Sequence, residues 1–159
     1  MQENFCIPLS RKPSAVAYIR GSYRYPKISG RVQFYGVNGG VVVRTQAVGL
    51  PIKEGNCNNS IFAFHIHSGN SCSGDDKDPF ANALTHYNPQ NCLHPYHAGD
   101  MPPLFCVNGR AYLEFLTDRF NIDEIIGKTV IIHASSDDFT TQPSGNAGEK
   151  IACGVINRI

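Results

Sequence analysis

The sequence predicts an all-β chain, an antiparallel sandwich or barrel interrupted by two long polar loops. Three observations predict it. Short runs rich in β-branched and aromatic residues recur along the chain, each bounded by Gly, Asn or Pro. Helical patterning is confined to about one turn. Two stretches, Ser68 to Pro103 and Ala134 to Lys150, lose apolar periodicity and are dominated by Gly, Ser, Asn, Asp and Pro.

The elements follow in order. Ala15-Val16-Ala17-Tyr18-Ile19 is a compact apolar run ending near Gly21. Gly30 to Tyr35 alternates, with Val32 and Phe34 on one face. Asn38-Gly39-Gly40 tolerates positive φ and signals a hairpin into Val41 to Val48; Gly49-Leu50-Pro51 stops that strand. Ile61 to His67 is the next strand. Ser68 to Pro103 is then expected as one loop, and loops of that length inside a compact domain are usually functional. Strands resume at Ala111 to Leu116 after the Asn108-Gly109 turn. Asn121 to Ile126 suits one helical turn, with Asn121 as cap and Gly127 as stop. Lys128 to His133 and Ile151 to Ile156 are the last two strands, either side of the second polar loop.

The length of 159 residues fits a single domain, 1–159, able to bury a core without metals or disulfides. Lys and Arg number 14 against 13 Asp and Glu, which gives no reason to expect nucleic acid or an anionic membrane as partner. No apolar run approaches the length of a membrane-spanning helix. Met1 to Pro8 lacks the basic start and apolar centre of a secretory signal. The expected location is cytoplasmic as the chain is written, or exported if a signal has been removed. Six cysteines bear on that choice, because disulfides persist mainly in oxidising compartments.

All six histidines fall into a pattern that a paired metal site needs. Neutral imidazole is the commonest protein ligand for zinc and copper. His65 and His67, two apart on a strand, share a face and suit one metal; alone, the pair is equally compatible with two surface histidines. His94, His97 and Asp100 form a ladder at intervals of three and lack one of zinc's usual four ligands. His86 lies between the two groups in sequence. A deprotonated imidazole binds a metal on each nitrogen, so His86 is able to join a site made with His65, His67 and His133 to one made with His94, His97 and Asp100.

At this point the chain resembles the copper/zinc superoxide dismutases. The resemblance covers roughly residues 15 to 157. It rests on Phe64-His65-Ile66-His67, His86-Tyr87-Asn88-Pro89, His97-Ala98-Gly99-Asp100, Val130-Ile131-Ile132-His133, Asp137-Asp138, and Gly145-Asn146-Ala147-Gly148 running into Ala152-Cys153-Gly154-Val155-Ile156. It implies a Greek-key fold and dismutation of superoxide to oxygen and hydrogen peroxide. It implies copper on His65, His67, His86 and His133, and zinc on His86, His94, His97 and Asp100, with His86 bridging and relaying a proton. Asp137 resembles the aspartate that hydrogen-bonds one histidine of each site, and Cys72 and Cys153 resemble the family's disulfide. The family contains dimers and monomers, so a homodimer and a monomer both stay open.

The chain departs from the family in places. Lys150 stands where the family usually has arginine, so an anion guide is expected to be looser and slower, since lysine is a point charge on a flexible stem. Only two residues separate His94 from His97, and both polar loops are short. Cys6, Cys57, Cys92 and Cys106 match no family role; a Cys57–Cys92 bridge would anchor the zinc loop, and unpaired thiols are the other reading. A non-catalytic module that stores or buffers copper and zinc is the alternative function. Its signature would be a missing ligand or a blocked channel.

Overall fold

The computed structural model describes residue 8, residues 10–52 and residues 60–159. Cys6 and Cys57 lie outside the described residues, and the Cys57–Cys92 bridge with them.

Among the described residues the strands are β1 (Ala15–Gly21), β2 (Ser29–Val37), β3 (Gly40–Val48), β4 (Ser60–His67), β5 (Asp100–Val107), β6 (Arg110–Thr117), β7 (Thr129–His133) and β8 (Lys150–Arg158). They close into one antiparallel barrel in the order β1-β2-β3-β6-β5-β4-β7-β8. The connections from β3 to β4 and from β6 to β7 each pass over two strands, which is the Greek-key pattern. No helix among the described residues is long and apolar enough to cross a membrane.

Alternation builds the core. Val32, Phe34, Val43, Phe62, Phe64, Ile66 and Ile132 point inward and are fully buried or nearly so. Each such side chain contributes about 1.5–3 kcal/mol through removal from water. Phe120 closes one end, edge-on to Phe34 at 6.3 Å. Phe120 is held there by α1 (Ile122–Ile125), a single turn whose first residues are capped by the Glu124 carboxylate accepting from Asn121 N at 2.7 Å. Gly127 follows at φ +81° and stops it.

The structure differs from the sequence reading at β5. The first polar loop ends at Gly99, not Pro103, because Asp100–Val107 pairs with β4. Pro102-Pro103 looks like a strand breaker, since proline cannot donate to the ladder. The register shifts there: Phe62 faces Leu104 and Phe64 faces Met101, so both prolines sit opposite Ala63 alone. Ala63 N turns instead to Ser135 O at 2.8 Å. The irregularity takes up the missing donors. β5 and β6 then join through Asn108 and Gly109, at φ +51° and +74°, the two positive values a type I′ turn requires.

Candidate metal centre

Phe64 and Ile66 face inward, so period-2 geometry turns His65 and His67 outward. His133 does the same on β7, next to buried Ile132. Yet all three are at most 4% exposed, because the loops fold over them. Backbone pairing seats the first loop. Tyr87 N donates to Ile66 O, Gly99 N to Tyr87 O, and Ile66 N to Gly99 O, each at 2.8 Å. His86 pairs with His67 in an isolated bridge. Gly99 is required at this junction, since a Cβ would lie 2.2 Å from Ile66 O.

Two clusters result. His65, His67, His86 and His133 bring one nitrogen each to a common point. So do His86, His94 and His97 with an Asp100 oxygen. Within each cluster these atoms lie within 4.8 Å of one another.

The hydrogen bonds assign the tautomers. His67 Nδ1 lies 2.8 Å from Leu84 O, and His133 Nδ1 lies 3.1 Å from Gly148 O. A carbonyl only accepts, so both Nδ1 atoms carry the proton. Their Nε2 atoms are then bare lone pairs, and they face each other at 3.2 Å. Asp137 does the same for one histidine of each cluster. His65 Nε2 and His94 Nε2 donate to the two oxygens of Asp137, at 2.8 and 2.9 Å. That leaves His94 Nδ1 bare and 3.0 Å from Asp100 Oδ2, in no hydrogen-bonding geometry. Buried acceptors facing acceptors repel unless a cation lies between them. His65 Nδ1 and His86 Nε2 are also buried without a partner. The donor set therefore fits two cations: four imidazoles suit copper, and three imidazoles with a carboxylate suit zinc. His86 offers Nδ1 to the Asp100 side, at 2.8 Å from Oδ1, and its orphan Nε2 to the other.

Burial lowers the pKa of His65, His67 and His97, that of His67 farthest, with the positive charge of His133 adding to it. Burial, then the nearby charge of His65, takes His133 from 6.5 to about 3. Burial acts to raise Asp100 and Asp137, but hydrogen bonds from His86 to the first, and from His65, Phe139 N and His94 to the second, carry both below the usual carboxylate range. These shifts share a sign. Between about 3 and 6.5 the unfolded chain holds imidazole protons that the folded one lacks, so stability falls as pH falls through that window. The aspartates' contribution is lost lower still, as pH drops through their depressed values. The metal-free protein is thus expected to unfold at lower denaturant at pH of about 5 than at about 7; equal midpoints would contradict this.

Asp137 depends on Gly145. A Cβ there would lie 2.0 Å from Asp137 Oδ1 and 2.7 Å from His94 Nε2, at φ +67°. Gly145→Ala is expected to push Asp137 off His94 and weaken zinc binding about tenfold or more in chelator competition. Unchanged affinity would mean the carboxylate does not orient His94.

A cavity of about 640 Å³ opens onto His67, His86 and His133, with Lys150 on its wall. Lys150 faces His133 across the β7–β8 pair. Its Nζ donates to Asp78 Oδ2 at 2.6 Å and to Phe80 O at 3.2 Å. Cys72 and Cys153 are bonded, tying the first loop to β8; Cys92 and Cys106 are partly buried and have no disulfide partner among the described residues.

Two residues that hold the short zinc loop escaped sequence reasoning. Gln142 clasps the His94 backbone, accepting from N at 3.0 Å and donating to O at 2.7 Å. Arg119 Nη1 donates to Pro95 O at 2.9 Å and His97 O at 3.3 Å. Both bridge distant segments and carry no local motif.

A closed Greek-key barrel with two ligand clusters joined through one imidazole defines a dinuclear metal protein. Comparison places it further. The family described as copper/zinc superoxide dismutase (SODC) matches residues 28–156, and the chain belongs to that family. Superoxide dismutase [Cu-Zn] 2 of Aquifex aeolicus is 33% identical over 146 residues, covering 82% of this chain and 80% of the relative. Superoxide dismutase [Cu-Zn] of Schizosaccharomyces pombe is 35% identical over 158 residues, covering 89% and 96%. Among solved structures, the Cu/Zn superoxide dismutase from Brucella abortus superposes with a TM-score of 0.73 at 23% identity, covering 89% of this chain and 98% of that one, a likeness of fold.

Proposed function

We propose that this chain converts superoxide to oxygen and hydrogen peroxide, with copper held by His65, His67, His86 and His133 and zinc by His86, His94, His97 and Asp100. The observation that carries the reading is His86, whose Nδ1 meets the Asp100 cluster while its buried Nε2 has no protein partner. Copper, when bound by these residues, would supply a one-electron redox couple, and zinc would supply none. The chain's own residues do the rest. His86 Nε2 is the nitrogen free to take up and return a proton while Nδ1 stays anchored. Asp137 fixes the rings of His65 and His94 together. The cavity admits a small anion to the outward faces of His67 and His133, and Lys150 draws it in. No ligand is missing and the channel is open, so the storage reading gains no support.

Lys150→Gln is expected to lower the dismutation rate at low ionic strength and flatten its salt dependence; an unchanged rate would remove Lys150 from the reaction. The whole reading is tested by metal quantification and a cyanide-sensitive dismutase assay on copper- and zinc-loaded protein. One copper and one zinc per chain with turnover supports it. Full loading without turnover turns the protein into a binding module.

Phe105, Val107 and Tyr112 share an exposed face across β5 and β6. Such a patch favours the homodimer over the monomer, and sedimentation at micromolar concentration decides between them. The disulfide favours an oxidising compartment.

A further inference from the structure

We infer that Asp78 is a positioning residue that competes with the incoming anion for Lys150, and so sets how strongly the channel attracts superoxide. This rests on the reading of Lys150 as the anion-receiving group.

The geometry is specific. An ammonium has three N–H donors. Among the described residues, Asp78 Oδ2 takes one at 2.6 Å and Phe80 O takes a second at 3.2 Å. The Lys150 side chain is only 15% exposed, while that of Asp78 is 41% exposed. Lys150 is thus pinned at the seam between two hollows. One contains His67, His86 and His133, and the other contains Asp78, Lys77 and Glu149. Glu149 is engaged elsewhere, by Arg24 at 3.3 Å and by the Tyr25 hydroxyl. Asp78 is therefore the carboxylate paired with the ammonium. The pin has its own support: Asp78 Oδ1 accepts from Phe80 N at 3.0 Å, so one side chain fixes both the loop that supplies Phe80 O and the cation it touches.

The pair has two opposed effects. It holds the stem of Lys150 in place, as arginine's rigid fork would. It also puts a negative charge beside the positive one, so an anion approaching the third N–H meets a dipole more than a free cation. At the separation such an anion would have from Asp78, removing that charge is worth about threefold to tenfold in anion affinity for an effective dielectric between those of water and a protein surface.

Asp78→Asn removes the charge and keeps the oxygen that Phe80 N needs. Asp78→Ser is a second route to the same end, since a serine hydroxyl also accepts from the backbone two residues on. Both are made in copper- and zinc-loaded protein, with and without Lys150→Gln. Azide binding is read from the visible spectrum, alongside the salt dependence of dismutation. The expected result is azide bound about threefold to tenfold more tightly, a steeper fall of rate with salt, and a clearly smaller effect of either Asp78 variant once Lys150 is Gln, where the direct repulsion by Asp78 persists but its competition for the ammonium does not. Azide affinity equal to the parent's in a folded Asp78 variant overturns the inference. So does an equal change with and without Lys150. If Lys150→Gln by itself alters neither azide binding nor low-salt rate, the reading of Lys150 fails first and takes this one with it.

Discussion

Asp137→Asn is expected to lower affinity for both metals by about 10–100-fold while leaving the barrel folded. One carboxylate accepts from His65 at 2.8 Å, from His94 at 2.9 Å and from Phe139 N at 2.7 Å. An amide keeps one acceptor oxygen and replaces the other with a donor. Whichever way it turns, one histidine faces an N–H and loses the proton placement that aims its Nδ1 at a metal. Because His65 belongs to one cluster and His94 to the other, neither metal is spared. Competition with a chelator, run separately for copper and zinc, checks this. A variant that loses one metal only would show the two sites to be uncoupled at this residue. Asp137 is buried and its depressed pKa is itself a contribution to stability, so the metal-free variant should stay folded but melt several degrees below the parent.

Cys153→Ser is expected to destabilise the protein by about 2–5 kcal/mol. The bridge to Cys72 closes a loop with a sequence separation of 81, long enough for its removal to release much chain entropy into the unfolded state. Packing adds to this, because Cys153 shares a small cluster with Phe80, Ala83 and Ile131 on the outer side of the barrel. For a chain of this size the loss corresponds to a drop of roughly 5–20 °C in melting temperature. Calorimetry of metal-free Cys72→Ser and Cys153→Ser proteins should show drops in both, the larger at the more buried Cys153, and reduction of the parent should lower the transition as well. A drop under about 2 °C in all three would mean the loop holds to β8 without the bond.

The ligands were legible because histidine is scarce and each one sits in a context with its own geometry: a strand for His65 and His67, a turn for His86, a strand end for His133. Strand alternation predicted that His65 and His67 share a face, and they do. What alternation did not reveal is which face, since Phe64 and Ile66 are as apolar as the histidines are polar and both sets end up buried. β5 was illegible for a different reason. Pro102-Pro103 has the local chemistry of a terminator, and only the bulge opposite Ala63 makes it tolerable. Gln142, Arg119 and Asp78 act across separations of 22 to 72 residues, through backbone carbonyls or a single counter-ion. Contacts of that kind leave no periodic or spaced trace along a chain.

The order in which strands neighbour one another also sets how much of the polypeptide each ligand cluster draws on. Three ligands of one cluster and the shared histidine fall between residues 86 and 100, so all four come from one short stretch of polypeptide. The other cluster needs β4 laid against β7, since beside the shared histidine its ligands come from residues 65–67 and 133 and meet where those two strands pair. The first pocket is thus a local feature of the chain, and the second is a product of tertiary pairing.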